Sequence, residues 1–232
     1  MISIAIVIRA FRACSVIQTD YGNHAIRRID MSTAAVTTFA GGSSGFIDGT
    51  GTSARFKNPT GIASGPGASF YLIGDYGNDA VRRLSPSTGV VTTLAGGASG
   101  SSNGVGTSAS FNGPVGIALN SSGTYALIAD SSNNMLRALN TETASVTTLA
   151  GQLTAGSTNG VGTAAKFDFL LGVTMDGAAT FAVVVSPLAL HYEHVCGVEA
   201  AIQPSDALLR VCTFEIRALL HRVSLLHLMY VC

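Results

Sequence analysis

The sequence has little charge, no tryptophan and no long apolar segment. Charged residues make up 11% of its 232 residues, and 13 Lys and Arg balance 13 Asp and Glu. A chain of zero net charge has no bulk electrostatic attraction for nucleic acid, so we expect no nucleic-acid partner. No run of about 18 uncharged apolar residues occurs, which argues against a membrane-spanning helix.

Cysteine is also scarce and is not arranged for metal binding. The four cysteines are Cys14, Cys196, Cys212 and Cys232, and no two have CxxC spacing. The spacing gives no support for zinc, and it does not define disulfide pairing. The five histidines show no ligand spacing either, and no GxSxG motif or catalytic carboxylate pair stands out. We therefore predict no cofactor, no metal site and no catalytic residue.

The start of the chain has no clear targeting signal. Met1–Ile8 is apolar but has no basic region before it, and Arg9 and Arg12 follow where a cleavage site of small residues would be expected. Abundant Ser, Thr and Gly would suit an extracellular surface. We assign no compartment.

The dominant positive feature is an internal repeat of 55 residues, since 75 − 20 and 130 − 75 are both 55. Each copy has an Asp-x-x-Asn turn, an apolar-Arg strand and a Val-Thr-Thr strand. The copies are Asp20-Tyr-Gly-Asn-His-Ala-Ile-Arg-Arg-Ile29 with Val36-Thr-Thr-Phe-Ala-Gly-Gly42, Asp75-Tyr-Gly-Asn-Asp-Ala-Val-Arg-Arg-Leu84 with Val91-Thr-Thr-Leu-Ala-Gly-Gly97, and Asp130-Ser-Ser-Asn-Asn-Met-Leu-Arg-Ala-Leu139 with Val146-Thr-Thr-Leu-Ala-Gly151. Repeats of this length indicate an array of similar structural units.

Each repeat reads as four short strands joined by tight turns. In the third copy the predicted strands are Gly116–Asn120, Tyr125–Ala129, Met135–Leu139 and Ser145–Ala150. A connection rich in Gly, Ser and Thr follows each copy and ends at Phe56, Phe111 or Phe167, which we expect to anchor it against the next unit. Four strands per repeat are typical of a β-propeller blade.

These residues resemble the NHL-repeat β-propeller family. Asn23-His24-Ala25-Ile26-Arg27 is the closest match to its motif, and Asn78 with Val81-Arg82 and Asn133 with Leu136-Arg137 are weaker copies. The resemblance covers roughly residues 13–185. It implies an all-β propeller fold with a binding surface, and it does not by itself imply a reaction.

The propeller is expected to be incomplete within residues 1–185. Ile6–Arg12 aligns with Gly61–Gly67 as a degraded first strand, and a fourth blade opens with Gly172–Asp176 and Thr180–Val185 before the repeat stops. Propellers close with about 4–8 blades. The chain is then a fragment, or it associates with itself to complete the ring, or the tail replaces missing blade parts.

Residues 186–232 form a divergent tail. Polar residues at Asp206, Arg210, Thr213, Arg217, His221, Ser224 and His227 trace one face of a helix. We predict an amphipathic helix over 206–230, with Ser205 as its candidate N-cap. The alternatives are a continued blade, because Ile216-Arg217-Ala218-Leu219 echoes Leu136-Arg137-Ala138-Leu139, and a segment that is not native blade sequence.

The repeated polar residues have a structural and a functional interpretation. Asp20, Asp75 and Asp130, with Asn23, Asn78 and Asn133, could form a metal-binding ring, but turn chemistry explains their repetition better. Arg27, Arg82 and Arg137 could form a cationic face with Arg28 and Arg83, which are candidate binding-face residues. We favour instead a repeated salt bridge to the Asp of the same blade.

Two other motifs are weaker. Asp48-Gly-Thr-Gly resembles a calcium or phosphate loop, but Asn103 and Asn159 replace its Asp, so we interpret it as a glycine-rich turn between blades. Asn120-Ser121-Ser122 is one candidate glycosylation site if the chain is secreted.

The sequence therefore favours a non-enzymatic scaffold that presents loops to a protein or glycan partner. Repeated blade residues without a non-repeated chemical cluster support this hypothesis. The alternatives are a propeller enzyme of the hydrolase or lyase type with a channel metal, and a truncated paralogue without independent function.

Overall fold

The computed structural model describes residues 15–186, 195–201, 208–213 and 229–231. These residues form four antiparallel or mixed sheets of four or five strands. In chain order the strands are β1 (Ser15–Asp20), β2 (Ala25–Asp30), β3 (Val36–Gly41), β4 (Gly49–Thr50), β5 (Pro59–Ser64), β6 (Tyr71–Asp75), β7 (Ala80–Leu84), β8 (Val90–Gly96), β9 (Gly104–Val105), β10 (Pro114–Leu119), β11 (Tyr125–Asp130), β12 (Met135–Asn140), β13 (Ser145–Gly151), β14 (Gly172–Met175), β15 (Phe181–Val185), β16 (Val195–Ala201), β17 (Leu208–Thr213) and β18 (Met229–Val231).

The four sheets are the blades of a propeller, and the predicted all-β propeller fold is confirmed. Blade A has the strand order β18-β1-β2-β3, and blade B has the order β5-β6-β7-β8-β4. Blade C repeats this order as β10-β11-β12-β13-β9, and blade D has the order β14-β15-β17-β16. The four strands predicted for the third copy are present within two residues of their expected bounds.

Short 3-10 turns punctuate the blades at equivalent places. Three of them follow the repeated Asp residues and cover Tyr21–Asn23, Tyr76–Asn78 and Ser131–Asn133. Another three lie between blades at Gly51–Ser53, Gly106–Ser108 and Gly162–Ala164. The seventh is Pro66–Ala68, between β5 and β6.

The hydrophobic core lies between adjacent blades. One buried cluster joins blades A and B, the second joins B and C, and the third joins C and D. Because side chains alternate along a strand, Ile73 of β6 contributes to the first cluster and Leu72 to the second. The repeated phenylalanines Phe56, Phe111 and Phe167 are buried in these clusters, as expected.

The connections that lead into blades B and C each add a short fifth strand to the blade that follows. After β3 the chain crosses to blade B, where Gly49–Thr50 pairs with β8 as a fifth strand before β5 begins. Gly104–Val105 pairs with β13 of blade C in the same way. We call residues 42–58 and 97–113 the connectors. Each connector therefore lies along the outer edge of the blade that it leads into.

The tail is not shown to be a helix. Within the predicted range 206–230, the structure describes strands at Leu208–Thr213 and Met229–Val231, and the intervening residues lie outside its described part. β17 pairs in parallel with β15, and β18 pairs with β1. The two described strands use backbone hydrogen-bonding groups at the edges of β15 and β1, which a helix at these positions would leave unpaired.

Repeated glycines allow the close approach of backbone segments. Gly41, Gly96 and Gly151 end the outer strands with φ of +78°, +83° and +87°. A Cβ atom at Gly96 would meet the carbonyl oxygen of Asp79 and would lie 2.7 Å from Cδ2 of Phe111. Both the backbone conformation and the packing therefore exclude a side chain there.

We expect Gly96→Ala to lower the free energy of unfolding by about 2–5 kcal/mol, because left-handed strain and overpacking add. Gly22→Ala is the matched control, since a Cβ at Gly22 meets nothing within 4 Å. Chemical denaturation of both variants measures the difference. Equal small losses would contradict the packing argument.

Candidate functional site

A buried ion pair links the repeated Asp and Arg of blade B. Nη1 of Arg82 lies 2.7 Å from Oδ2 of Asp75, and both side chains are fully buried. Asn78 donates to the same oxygen at 2.9 Å, and the backbone N–H of Lys57 donates to Oδ1 at 2.7 Å. The carboxylate is thus held by donors from the turn, from the third strand and from the connector.

Blade C builds the same network from the equivalent residues. Nη1 of Arg137 lies 2.9 Å from Oδ2 of Asp130, and Asn133 donates to that oxygen at 2.7 Å. The backbone N–H of Asn112 takes the place of Lys57 at 2.7 Å. The salt bridge that the sequence favours is therefore present in both blades, and full burial excludes Arg82 and Arg137 from an exposed cationic face.

The arginines also hold the connectors in place. Arg82 donates to the carbonyl oxygens of Arg55 and Ile47 and contacts Asp48 at 2.7 Å. In blade C, Arg137 donates to Ser110 and Ser102 carbonyls and to Oδ1 of Asn103 at 3.1 Å. Asp48 and its counterpart Asn103 are therefore connector acceptors, which agrees with the interpretation of this motif as a structural turn.

Burial dominates the acid–base behaviour of these carboxyls. It raises the pKa of Asp75 and of Asp130, while the amide donors and the arginines oppose the rise. Burial also raises the pKa of Tyr125 to about 12. The buried Asp residues are acceptors within the fold, and none of them faces open solvent.

The two buried pairs differ in how much charge remains if the Asp is neutralised. Asp130→Asn leaves Arg137 without a carboxylate among the described residues, so we expect a loss of about 3–5 kcal/mol in unfolding free energy. Asp75→Asn should cost roughly 1 kcal/mol less, because Asp48 still contacts Arg82. Denaturant titration of both variants tests this order, and equal costs would contradict it.

Blade A departs from this pattern. Asp20 is half-buried and accepts hydrogen bonds from Asn23 Nδ2 at 2.9 and 3.1 Å, but no Arg lies within salt-bridge distance among the described residues. Arg27 donates instead to the hydroxyl of Thr38 at 3.2 Å. The turn is thus preserved in blade A, while the described residues do not form the ion pair.

A second inter-blade contact uses the residue after each turn. His24, Asp79 and Asn134 all have φ near +53° and accept a hydrogen bond from a backbone N–H at the start of the next blade. Nδ1 of His24 accepts from Asn58 at 3.1 Å, and Oδ1 of Asp79 accepts from Gly113 at 2.8 Å. Oδ1 of Asn134 accepts from Phe169 at 2.8 Å. These three residues differ in type, but in the structure they have the same backbone conformation and make the same contact with the next blade.

This equivalence predicts which substitutions blade B tolerates at Asp79. Asp79→Asn keeps an acceptor at a position where blade C already has Asn, so unfolding free energy should change by less than about 0.5 kcal/mol. Asp79→Ala loses the acceptor and should cost about 2 kcal/mol. Thermal unfolding of the pair measures this, and equal stability of the two variants would contradict the contact's role.

The other candidate residues lie apart from these networks. The guanidinium carbon of Arg28 lies 4.3 Å from the ring centre of Phe39, and that of Arg83 lies 4.2 Å from Phe70. Both arginines therefore stack on aromatic rings of their own blades. Asn120 lies in the turn between β10 and β11, where its Oδ1 accepts from the N–H of Tyr125 at 3.1 Å.

A cavity of about 610 Å³ lies between blades A and D, bounded also by the inner strands of blades B and C. Its polar lining includes Gln18, Thr19, Asp20 and Tyr21, and Val115, Val173, Val183 and Val185 provide apolar walls.

Among the described residues, no group of three or more His, Cys, Asp or Glu side chains is placed to hold a metal ion. No helix in that part of the chain is long and apolar enough to cross a membrane.

Aromatic side chains gather at the end of the molecule where the Asp–Asn turns lie, which we call the turn end. Tyr21 is 51% exposed, and its ring centre is 6.2 Å from that of Tyr76 in the equivalent turn of blade B. Phe169, which precedes β14 at the same end, is 37% exposed. The turn end therefore exposes aromatic surface next to the cavity.

Curated relatives match roughly half of the chain. NHL repeat-containing protein 2 of Bos taurus is 28% identical over 138 residues, which are 55% of this chain and 19% of that protein. The Homo sapiens protein of the same name is 27% identical over 142 residues, with 56% and 19% covered. Protein SUPPRESSOR OF QUENCHING 1, chloroplastic, of Arabidopsis thaliana is 30% identical over 128 residues, with 51% and 12% covered. The chain thus spans about a fifth or less of these relatives.

Solved structures share the fold. A Bacteroides thetaiotaomicron protein of unknown function superposes with a TM-score of 0.54 and 21% identity, covering 70% of this chain and 40% of that one. An auxiliary nutrient binding protein of the same species gives 0.53 and 20%, covering 71% and 40%. No protein-family profile matches the chain.

The blade order, the inter-blade cores and these structural neighbours define the class of protein as a β-propeller. Its curated homologues are NHL repeat-containing proteins, so the predicted resemblance to NHL-repeat β-propellers is confirmed.

Proposed function

We propose that this chain is a non-enzymatic interaction scaffold that binds a protein or glycan partner at its turn end. The observation that carries the proposal is a division within each repeat between buried residues that hold the fold and turn residues that vary. The repeated Asp and Arg side chains are buried in the networks that hold blades B and C. The turn residue that follows each Asp varies in identity and exposure, because Tyr21 is 51% exposed, Tyr76 is half-buried and Ser131 is fully buried.

Such a division suits recognition better than catalysis. A fixed frame that displays varied side chains can form a specific surface, and function on a shared fold lies in such sites. Tyrosine is enriched at protein interfaces because it combines apolar area with a hydrogen-bonding group. The exposed Tyr21 and the neighbouring Tyr76 supply both at the turn end.

The test uses binders selected against the whole chain, from a peptide display library and a glycan array. We expect the Tyr21→Ser/Tyr76→Ser double variant to weaken binding of the selected ligands at least tenfold. Val105→Ser is the control, because Val105 is 59% exposed but lies on the outer edge of blade C. Dissociation constants that rise equally for both variants would overturn the turn-end assignment.

Elemental analysis of the purified protein tests the non-enzymatic part of the proposal. A stoichiometric metal ion retained through gel filtration would favour a propeller enzyme with a channel metal. Metal well below one equivalent, together with turn-end binding, is the expected result.

A further inference from the structure

We propose that the cavity beside Asp20 binds a cationic side chain of the guanidinium type, presented by a basic peptide. This proposal rests on the interaction role proposed above and specifies one ligand chemistry for it. Three observations support it: the chemistry of the equivalent carboxylates, the lining of the cavity, and its position at the turn end.

The sister blades show what this carboxylate site accepts. In blades B and C the Asp-x-x-Asn turn holds a guanidinium, at 2.7 Å from Asp75 and 2.9 Å from Asp130. In each case the Asn of the turn donates to the same carboxylate oxygen as the arginine. The Asp and Asn therefore form a preorganised acceptor for a planar cation.

Blade A has the same acceptor, and no described residue supplies its cation. Asn23 holds both oxygens of Asp20 at 2.9 and 3.1 Å, so the carboxylate has the orientation-fixing contact of the other blades. Arg27 is engaged with Thr38. A carboxylate has about four acceptor positions, and Asn23 is the one side chain that occupies any of them within the described residues.

The cavity provides room and suitable walls for such a ligand. Its volume of about 610 Å³ lies in the range of small-ligand sites. Among the described residues that line it, Asp20 is the one charged side chain and none is a cation. Val173, Val183 and Val185 offer apolar contact, which suits the aliphatic stem of an arginine while its head group reaches Asp20.

The site also opens where a peptide could reach it. Tyr21 lines the cavity and is half-exposed at the turn end, with Tyr76 as its neighbour. Aromatic faces attract cations and pack against peptide backbones. A basic peptide can therefore contact the turn end and insert one side chain into the cavity.

The experiment compares two capped peptides, acetyl-Val-Arg-Val-amide and its citrulline counterpart, on the full chain. Citrulline keeps the size and shape of arginine but carries no charge. We expect calorimetry to show at least tenfold tighter binding of the arginine peptide, and NMR to show shifted amides in β1 and at Gly172. Equal binding of the two peptides would overturn the proposal. Binding of neither peptide would also overturn it, because the cavity would then be closed to a ligand, for example by another part of this chain.

Matched variants locate the charge. Asp20→Asn should reduce affinity for the arginine peptide at least tenfold, whereas Asp30→Asn should leave it unchanged. Asp30 is a suitable control because it caps the turn after β2 through the N–H groups of Ser32 and Thr33, and Asn140 makes the equivalent contacts in blade C. Equal losses of affinity in both variants would show that the effect comes from the net charge of the protein, which would contradict a site at Asp20.

The outcome is separable from that of the scaffold proposal. Selected ligands that still depend on Tyr21 and Tyr76, with no preference for arginine over citrulline, would refute the cavity site alone. Failure of both tests would remove the turn end as a binding surface.

Discussion

The structure depends on the need to pair a buried guanidinium. Arg82 and Arg137 are fully buried, and an unpaired charge in such a place would be prohibitively costly. Each must therefore bring together a carboxylate of its own blade and carbonyl oxygens of the preceding connector. A buried ion pair adds little net stability over an apolar alternative, so its main consequence here is geometric. It fixes where each connector lies and hence how one blade follows the next.

The other repeated features meet the same requirement for close, defined contact between successive segments. The left-handed glycines at 41, 96 and 151 let the outer strand pass beside the turn, and the phenylalanines pack where a Cβ would otherwise stand. The side chains of His24, Asp79 and Asn134 then accept hydrogen bonds from backbone N–H groups at the start of the next blade. Blade A keeps these contacts but leaves Asp20 without an arginine among the described residues, so the turn forms there without the ion pair.

Much of this organisation can be predicted from the sequence because a repeat makes structural roles visible. The period predicts the blades, and recurring Asp and Arg seven residues apart predict the salt bridge between Asp75 and Arg82. The strands Gly49–Thr50 and Gly104–Val105 are too short to leave a pattern. His24, Asp79 and Asn134 look unrelated because they share an acceptor and a backbone conformation rather than a residue type. The helix predicted over 206–230 is not shown, and the described parts of that range are strands at free sheet edges, about which side-chain periodicity carries no information.

The central claim, that the buried Asp–Arg networks lock the connectors onto the blades, is tested most directly by native-state hydrogen exchange. The N–H groups of Lys57 and Asn112 donate to Asp75 and Asp130 at 2.7 Å, although both residues lie outside the strands. The account predicts that these two amides exchange as slowly as the central strands β6 and β11, because they open only when the blade opens. Exchange as fast as that of the exposed turn residue Ser87 would contradict it.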